Sequence, residues 1–472
     1  MLKFYTEKQV RERIQAAVDA AVASAVAPLL ARIAELEQEI ARLKKNSSNS
    51  SKPPSSDIVK PPKITVCRKN GKRRKGAQPG HPRYERTPFT EEEIDRHVTY
   101  EREDLDPKEW EPLDEWDVVQ QIELKESPVE ITEHRARRYR NRRTDEVLGA
   151  RLPEEIRTAG LIGPRLSAYI AFLKGACHMS YTTIQTLLAD VYGVTLSTGQ
   201  LAKITTEKVS AALAAPYAEL RAALPAQDRL GVDETGHKDD GHKLWSWCFR
   251  ARRFIFFHIA ETRGSQVLMD ILGAAFAGVI HCDYFSAYRK FRNESSAIMQ
   301  FCLAHLIRDV KFLAESTDKV THNWAEKTLN DFRKLFSLIH RREQFRPAHF
   351  DRKLAALRDR LIQRFQHSPD RAGVCDLRER FRLHPKEFFT FVTTPGVEPT
   401  NNMTEQAIRY LIIDRRITQG TRGNKGQRWS ERIWTTISTC ETQGRSVFQF
   451  LCSALHAHFV GQSPPSLMPS GP

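Results

Sequence analysis

The sequence predicts an α/β core interrupted by a helical insertion and preceded by an N-terminal helix, a basic linker and a second helical region. Three observations carry that prediction. Residues 228–261 fall into three strand-like runs separated by tight-turn signals: DRLGVDETGHK, KLWSWCFR and FIFFHIAE. The flanking stretches 164–224 and 305–390 place apolar residues at helical spacing. The chain has 472 residues and a hydrophobic fraction of 40%, enough for several packed units, which excludes wholesale disorder.

Charge and composition narrow the function classes. Lys plus Arg is 73 against 58 for Asp plus Glu, a net +15, which favours a polyanionic partner. A basic enzyme with a solvated surface is the alternative. No apolar run reaches the ~18–20 residues of a membrane helix. The Ala-rich stretch 20–31 is too short, with Asp19 beside it and Pro28 within it. The opening MLKFYTEKQVRER lacks the apolar segment of a secretory signal. The eight Cys are scattered without a CxxC pair, as expected in a reducing, cytoplasmic compartment.

Along the chain, residues 1–45 read as a helix. Val22, Val26, Leu29, Ile33, Leu36, Ile40 and Leu43 are spaced 4-3-4-3-4-3, a heptad seam that Pro28 interrupts, leaving 29–43 as its clean part. An oligomerising coiled coil and an amphipathic helix docked on its own domain both fit. Residues 46–90 form a linker. Within it, 60–86 holds ten Lys or Arg and one acid, densest at Lys72, Arg73, Arg74 and Lys75. Its Gly and Pro residues prevent a regular helix, so it reads as a flexible arm for phosphates or as a plain solvated linker. Residues 91–150 form a small strand-rich region. Its first part, 91–126, holds fifteen acids and four bases, WDVVQQIEL and PVEITEHR alternate as short strands do, and a basic run follows at 135–143. Residues 151–226 read as helical. YTTIQTLLAD, a turn at 192–194 and a helix capped by Ser197 or Thr198 fit a DNA-binding helix-turn-helix, although any helical bundle contains such turns.

The core divides into 227–310 and 386–460 around a helical insertion at 311–385, with a tail at 461–472. Three hairpin-linked strands, a helix at 264–275 and a buried strand AGVIHCD at 277–283 match the start of an RNase H-like sheet. Asp233 lies within the first strand and Asp283 ends the fourth, and in such a sheet these strands are adjacent. Gly231 shares Asp233's face and leaves room beside it. Two close carboxylates repel unless a cation neutralises them, which suits Mg2+. Each Asp taken singly is also an ordinary strand-end residue. Glu405, separated from Asp283 by 121 residues, offers a third carboxylate on a helix edge shared with Ile408, Arg409 and Ile412. The spacing Asn402-x-x-Glu405 equally describes a capping box that needs no metal. Cations at Arg409, Arg415, Arg416, Arg422, Lys425, Arg428 and Arg432, with Gly420, Gly423 and Gly426 among them, suit a phosphate-rich substrate. His305 and Arg308 read as phosphate contacts near the site. His281, Cys282, Cys302 and His305 fit no common zinc spacing, and no zinc is expected.

These motifs together resemble the transposases of the insertion-sequence-66 family. The resemblance rests on the N-terminal helix, NSSNSSKPPSSD, KGAQPGHP, GVDET, HCDYFSAY, CLAHLIRD, NNMTEQAIR and STCETQG, and covers nearly the whole length. It implies a DDE triad on an RNase H-like fold, placed by motif at Asp233, Asp283 and Glu405. It further implies two Mg2+ (or Mn2+) per active site, DNA cleavage at the ends of a bacterial mobile element and joining of the freed 3′-OH to target DNA. Implied partners are the terminal inverted repeats, target DNA, a second copy of the chain and accessory proteins of the same element. The implied location is the bacterial nucleoid, with no membrane partner. One departure stands out: the stretch after QPGH, where family members generally carry zinc-binding cysteines, has no Cys here. The alternative is a DNA-binding protein with an inactive or repurposed fold of this kind.

Overall fold

The computed structural model describes residues 7–44, 88–100, 118–122 and 128–468. Helix α1 (Glu7–Lys44) comes first. A short ribbon follows, β1 (Arg138–Arg140) paired antiparallel with β2 (Val147–Gly149). Next are α2 (Glu154–Ala159), α3 (Pro164–Gly175), α4 (Tyr181–Tyr192) and α5 (Thr198–Lys203). The α5 rod continues through one π turn into α6 (Ser210–Ala212), followed by α7 (Ala214–Ala223). The turn after α4 is closed by Gly193 in the left-handed conformation. Ser197 caps α5 in a reciprocal box with Gln200, so a helix, a glycine turn and a capped helix follow one another here.

The central sheet contains β3 (Arg229–Asp239), β4 (His242–Arg250), β5 (Ile255–Ala260), β6 (Val279–Cys282) and β7 (Ile298–Phe301). Its order is β5-β4-β3-β6-β7, with β3, β4 and β5 an antiparallel meander and β6 and β7 parallel to β3 and to each other. The turn Asp240-Gly241, both at positive φ, makes the β3–β4 hairpin. Helix α8 (Gln266–Leu272) is the crossover to β6, and α9 (Ser286–Glu294) leads to β7. Trp247 of β4 meets Tyr288 of α9 edge-on at 6.2 Å, and Leu230, Val232 and Phe291 are fully buried with them.

The insertion after β7 is helical, as the spacing predicts. It comprises α10 (Leu303–Ala314), α11 (Lys319–His340), α12 (Pro347–Gln366) and α13 (Val374–Leu383). Phe365, Phe381 and Phe388 stack in a column that ties it to the segment before α14 (Thr390–Thr393). The chain returns to the sheet through α15 (Asn402–Thr418), α16 (Gly423–Thr442) and α17 (Val447–Phe459), the last packing on α3.

Both sheet edges are sealed by side chains. Glu431, Thr435 and Thr439, one turn apart on α16, accept the outward backbone N–H groups of Ile259 (2.7 Å), Phe257 (3.0 Å) and Ile255 (3.2 Å). At the other edge Gln300 reaches the Phe388 carbonyl and receives the Phe391 amide.

The helix expected in the first 45 residues is present over Glu7–Lys44 and runs through Pro28. Proline removes one i→i−4 bond, and the exposed Ser24 carbonyl left over is open to water. Three expectations need correction. The described parts of the alternating runs, 118–122 and 128–135, form no strand, and the ribbon instead pairs 138–140 in the basic run with 147–149. Alternation alone creates no strand where no partner strand pairs with it. β7 was not anticipated, being four residues without alternation. Strand β6 ends at Cys282, so Asp283 stands just past its end.

Candidate active site

The β3–β6 ladder places the two aspartates. Its last parallel pair is Gly231 with His281, and Asp233 and Asp283 each lie two residues further. Equal offsets on strands ~4.8 Å apart put both carboxylates on one face at the C-terminal end of the sheet. Asp233 Oδ1 accepts its neighbour's amide, Glu234 N, at 2.9 Å, and Asp283 Oδ1 accepts Phe285 N at 2.9 Å.

Helix α15 brings the third acid over that face. At Gly231 an added Cβ would lie 2.0 Å from Thr404 Oγ1 and 3.0 Å from Asn401 Oδ1, so glycine alone admits the start of α15. Asn401 Nδ2 donates to the Val232 carbonyl at 2.9 Å, just past the end of the β3–β6 ladder. Asn401 N donates to Cys302 Sγ at 3.2 Å, and Leu303 N to the Pro399 carbonyl at 2.9 Å. These bonds clamp residues 399–404 between β3 and α10. They also settle the capping question. The N-cap is Asn401, whose side chain is spent on β3, and Asn402 is the first helical residue. Glu405 is therefore one position too late for a capping box.

Asp233, Asp283 and Glu405 are each half-buried. Burial, then Glu234, then Asp283 and Glu405 push Asp233 well above the usual carboxylate range. Burial and Glu234, with Glu405 adding, push Asp283 up to about 7 despite the opposing Phe285 amide and Arg263. Glu405 Oε1 is buried without a hydrogen-bond partner, 3.6 Å from Arg308 Nη2 and 3.7 Å from His305 Nδ1. Burial and then Arg308 lower His305 to about 4, so its ring is neutral at pH 7. Three oxygen-donor groups with costly charge and an unsatisfied buried oxygen fit a hard divalent cation.

A second layer, not foreseen from the sequence, lies on the opposite face of β3. Glu234 is buried there, taking Arg263 Nε at 2.7 Å and the Tyr288 hydroxyl. The Arg263 guanidinium stacks 3.8 Å from the Phe285 ring. The signal available in the sequence was only the adjacent acid in GVDET.

The expected cations separate. Arg308 faces Glu405, Arg409 is exposed one turn along from it, and Arg415 donates to Thr235 Oγ1 on β3 at 3.3 Å. Arg422 is exposed at the N-cap of α16. Lys425 instead pairs with Glu207 (2.6 Å) and Arg428 with Glu431 (2.6 Å), and Arg432 binds Ser210. Those three therefore turn toward the helical region and the β5 edge, because α16 runs along β5. Gly420 also has another purpose than expected. Its φ is 105°, and a Cβ would meet the Lys238 carbonyl at 2.1 Å, where Thr421 bridges to Asp239. Lys72, Arg73, Arg74 and Lys75 lie outside the described residues. Of the four metal-type residues noted in the sequence, Cys302 and His305 converge with Glu405, while His281 and Cys282 do not join them.

Comparison with known families gives two matches. The model described as Transposase IS66 family matches residues 159–428, a span containing all three acids. A family of unknown function (DUF6444) matches residues 6–87. No curated protein matches the chain.

Proposed function

The chain belongs to the Transposase IS66 family, whose model spans more than half of it, and from that premise we propose that it is a DDE transposase acting through Asp233, Asp283 and Glu405 on an RNase H-like core. The observation that carries this is that three half-buried carboxylates, from β3, the residue after β6 and the start of α15, feel one another's charge: Asp283 and Glu405 both raise Asp233, and Glu405 raises Asp283. The strand order, with a three-stranded meander flanked by two parallel strands, supports the fold assignment.

The three acids would hold two Mg2+ or Mn2+ ions, which when bound supply Lewis-acid activation of the attacking oxygen and stabilisation of the leaving oxygen. The protein's own groups do the rest. Asn401 and Gly231 fix α15 so that Glu405 meets the aspartate pair. The Glu234–Arg263–Tyr288 network holds β3 from behind, and Arg263 moderates the charge on Asp283. Arg308, 3.6 Å from Glu405 Oε1, and exposed Arg409 and Arg422 give a cationic approach for phosphates, with the neutral His305 ring beside them. Water attack at the element end frees a 3′-OH, and that hydroxyl then attacks a target phosphodiester, with no covalent protein intermediate.

The remaining assignments are of the same kind. Residues 60–86, with Lys72, Arg73, Arg74 and Lys75, and the α4–α5 pair hold the DNA ends. Helix α1, whose Val10, Ile14, Val18, Val22, Val26, Leu29 and Leu36 are exposed, pairs two copies. No helix among the described residues is long and apolar enough to cross a membrane, and the proposed place of action is the bacterial nucleoid.

Cleavage of end-containing DNA with Mg2+ tests the proposal. Asp233→Asn, Asp283→Asn and Glu405→Gln should each abolish cleavage and strand transfer while DNA binding survives. DNA binding by the unaltered chain with no cleavage in Mg2+ or Mn2+ would instead favour a DNA-binding protein on an inactive fold.

A further inference from the structure

The ligand atoms of Cys302, His305 and Glu405 lie within 4.8 Å of one another. Cys302 precedes α10 and His305 sits one turn in, so the two project on one side of the helix start. Glu405 arrives from α15, 100 residues beyond His305 by the numbering, which is why no finger or ribbon spacing announced the group. Its donors are one sulfur, one imidazole nitrogen and one carboxylate oxygen. Mg2+ takes oxygen ligands, whereas sulfur with imidazole selects a borderline-soft ion, above all Zn2+ in four-coordinate geometry. The surroundings suit a metal-bound thiolate. Cys302 Sγ already accepts the Asn401 amide at 3.2 Å, the kind of outer hydrogen bond that orients a sulfur ligand. Glu405 Oε1 is buried without a hydrogen-bond partner.

We propose that Cys302, His305 and Glu405 form an exchangeable thiophilic-metal site for Zn2+ that shares Glu405 with the hard-metal site, so that zinc and catalytic Mg2+ compete for one carboxylate. On binding, the Cys302 S–H bond breaks, its proton goes to solvent and the electron pair becomes the S–Zn bond. Arg308, 3.6 Å from Glu405 Oε1, must withdraw as the metal's charge arrives. Water completes the fourth position. This site differs from a structural zinc site, because the fold around it is already packed through Asn401 and β3. The binding claim stands on the cluster alone. The competition claim rests on the proposed catalytic role of Glu405.

Cobalt(II) titration of the full chain, read by absorbance, tests binding without any need for activity. Wild type should show a thiolate-to-cobalt charge-transfer band with tetrahedral d–d bands, and Zn2+ should displace them. Cys302→Ser, which keeps an acceptor for the Asn401 amide, should lose the charge-transfer band, and Cys282→Ser should keep it. Glu405→Gln, a change in a half-exposed first turn, should weaken cobalt binding at least about tenfold. A wild-type spectrum without the thiolate band, or a band that survives Cys302→Ser, overturns the site. In the cleavage assay, Zn2+ added over Mg2+ should inhibit wild type and spare Cys302→Ser, and equal inhibition of both overturns the competition. If wild type cleaves nothing in Mg2+, it is the transposase reading that fails, and the cobalt spectrum still decides the site.

Discussion

Asp283 sits where burial and Glu234 hold its proton until about pH 7, whereas an unfolded chain releases it near ~3.9. Between those values the folded, metal-free protein binds the extra proton, so this group's contribution to stability falls as pH rises through the window. Asp283→Asn removes the penalty. With chelator present, its Tm should match wild type near pH 4 and rise above it by about 2 °C or more by pH 8, the shift given by roughly 1 kcal/mol in a domain of 150–250 residues. Melting curves that run parallel from pH 4 to 8 would contradict this account of the site. Mg2+ should close the gap by stabilising wild type and not the variant. At this scale the sequence revealed the two aspartates and Gly231 because a strand pattern fixes which side chains share a face. It left Glu405 undecided, since local spacing cannot tell a helix's first residue from its cap. Only the side-chain bond from Asn401 to Val232 moves the helix start by one residue and frees Glu405 from capping.

Strand β5 has an open edge, and its protection comes from a helix. Glu431, Thr435 and Thr439 repeat every fourth residue on α16 and meet Ile259, Phe257 and Ile255, which repeat every second residue on β5. Eight helix residues span ~12 Å and four strand residues ~13.5 Å, close enough for three successive contacts. Replacing Thr435 and Thr439 together with Val should leave two buried amides unpaired. The expected cost is about 2–6 kcal/mol, at ~1–3 for each orphaned donor, measured by urea unfolding. A loss under 0.5 kcal/mol, to order of magnitude, would show that these contacts do not seal the edge. The meander was legible because its strands are long and alternate, with turn residues between them. The edge seal was not, because threonines in a helical stretch look like solvent-facing positions until the strand beside them is known. Strand β7 escaped notice for a related reason: four residues between a helix and a buried Cys carry no period.

Across the whole molecule, the sheet, the insertion and α16–α17 make one packed body, whereas α1 exposes a run of apolar residues from Val10 to Leu36. Deleting residues 1–45 should halve the mass seen by light scattering while costing less than about tenfold in DNA affinity, since that segment carries eight basic and six acidic residues. An unchanged mass would remove the pairing role of α1. The succession of helices, a strand meander and a further run of helices from 151 onward was readable from periodicity. The separation of the cations expected around Glu405 was not, because Lys425, Arg428 and Arg432 lie close in sequence yet turn to the β5 side once α16 lies along that strand. The account as a whole rests on three carboxylates sharing one metal centre. The most direct measurement is Mn2+ binding to the full chain, followed by the loss of the free-ion EPR signal. Asp233→Asn and Asp283→Asn should each weaken binding beyond the ~10–100-fold that loss of even an outer metal partner causes, and Glu405→Gln should weaken it too. Mn2+ bound as tightly by all three variants as by wild type would contradict the shared site.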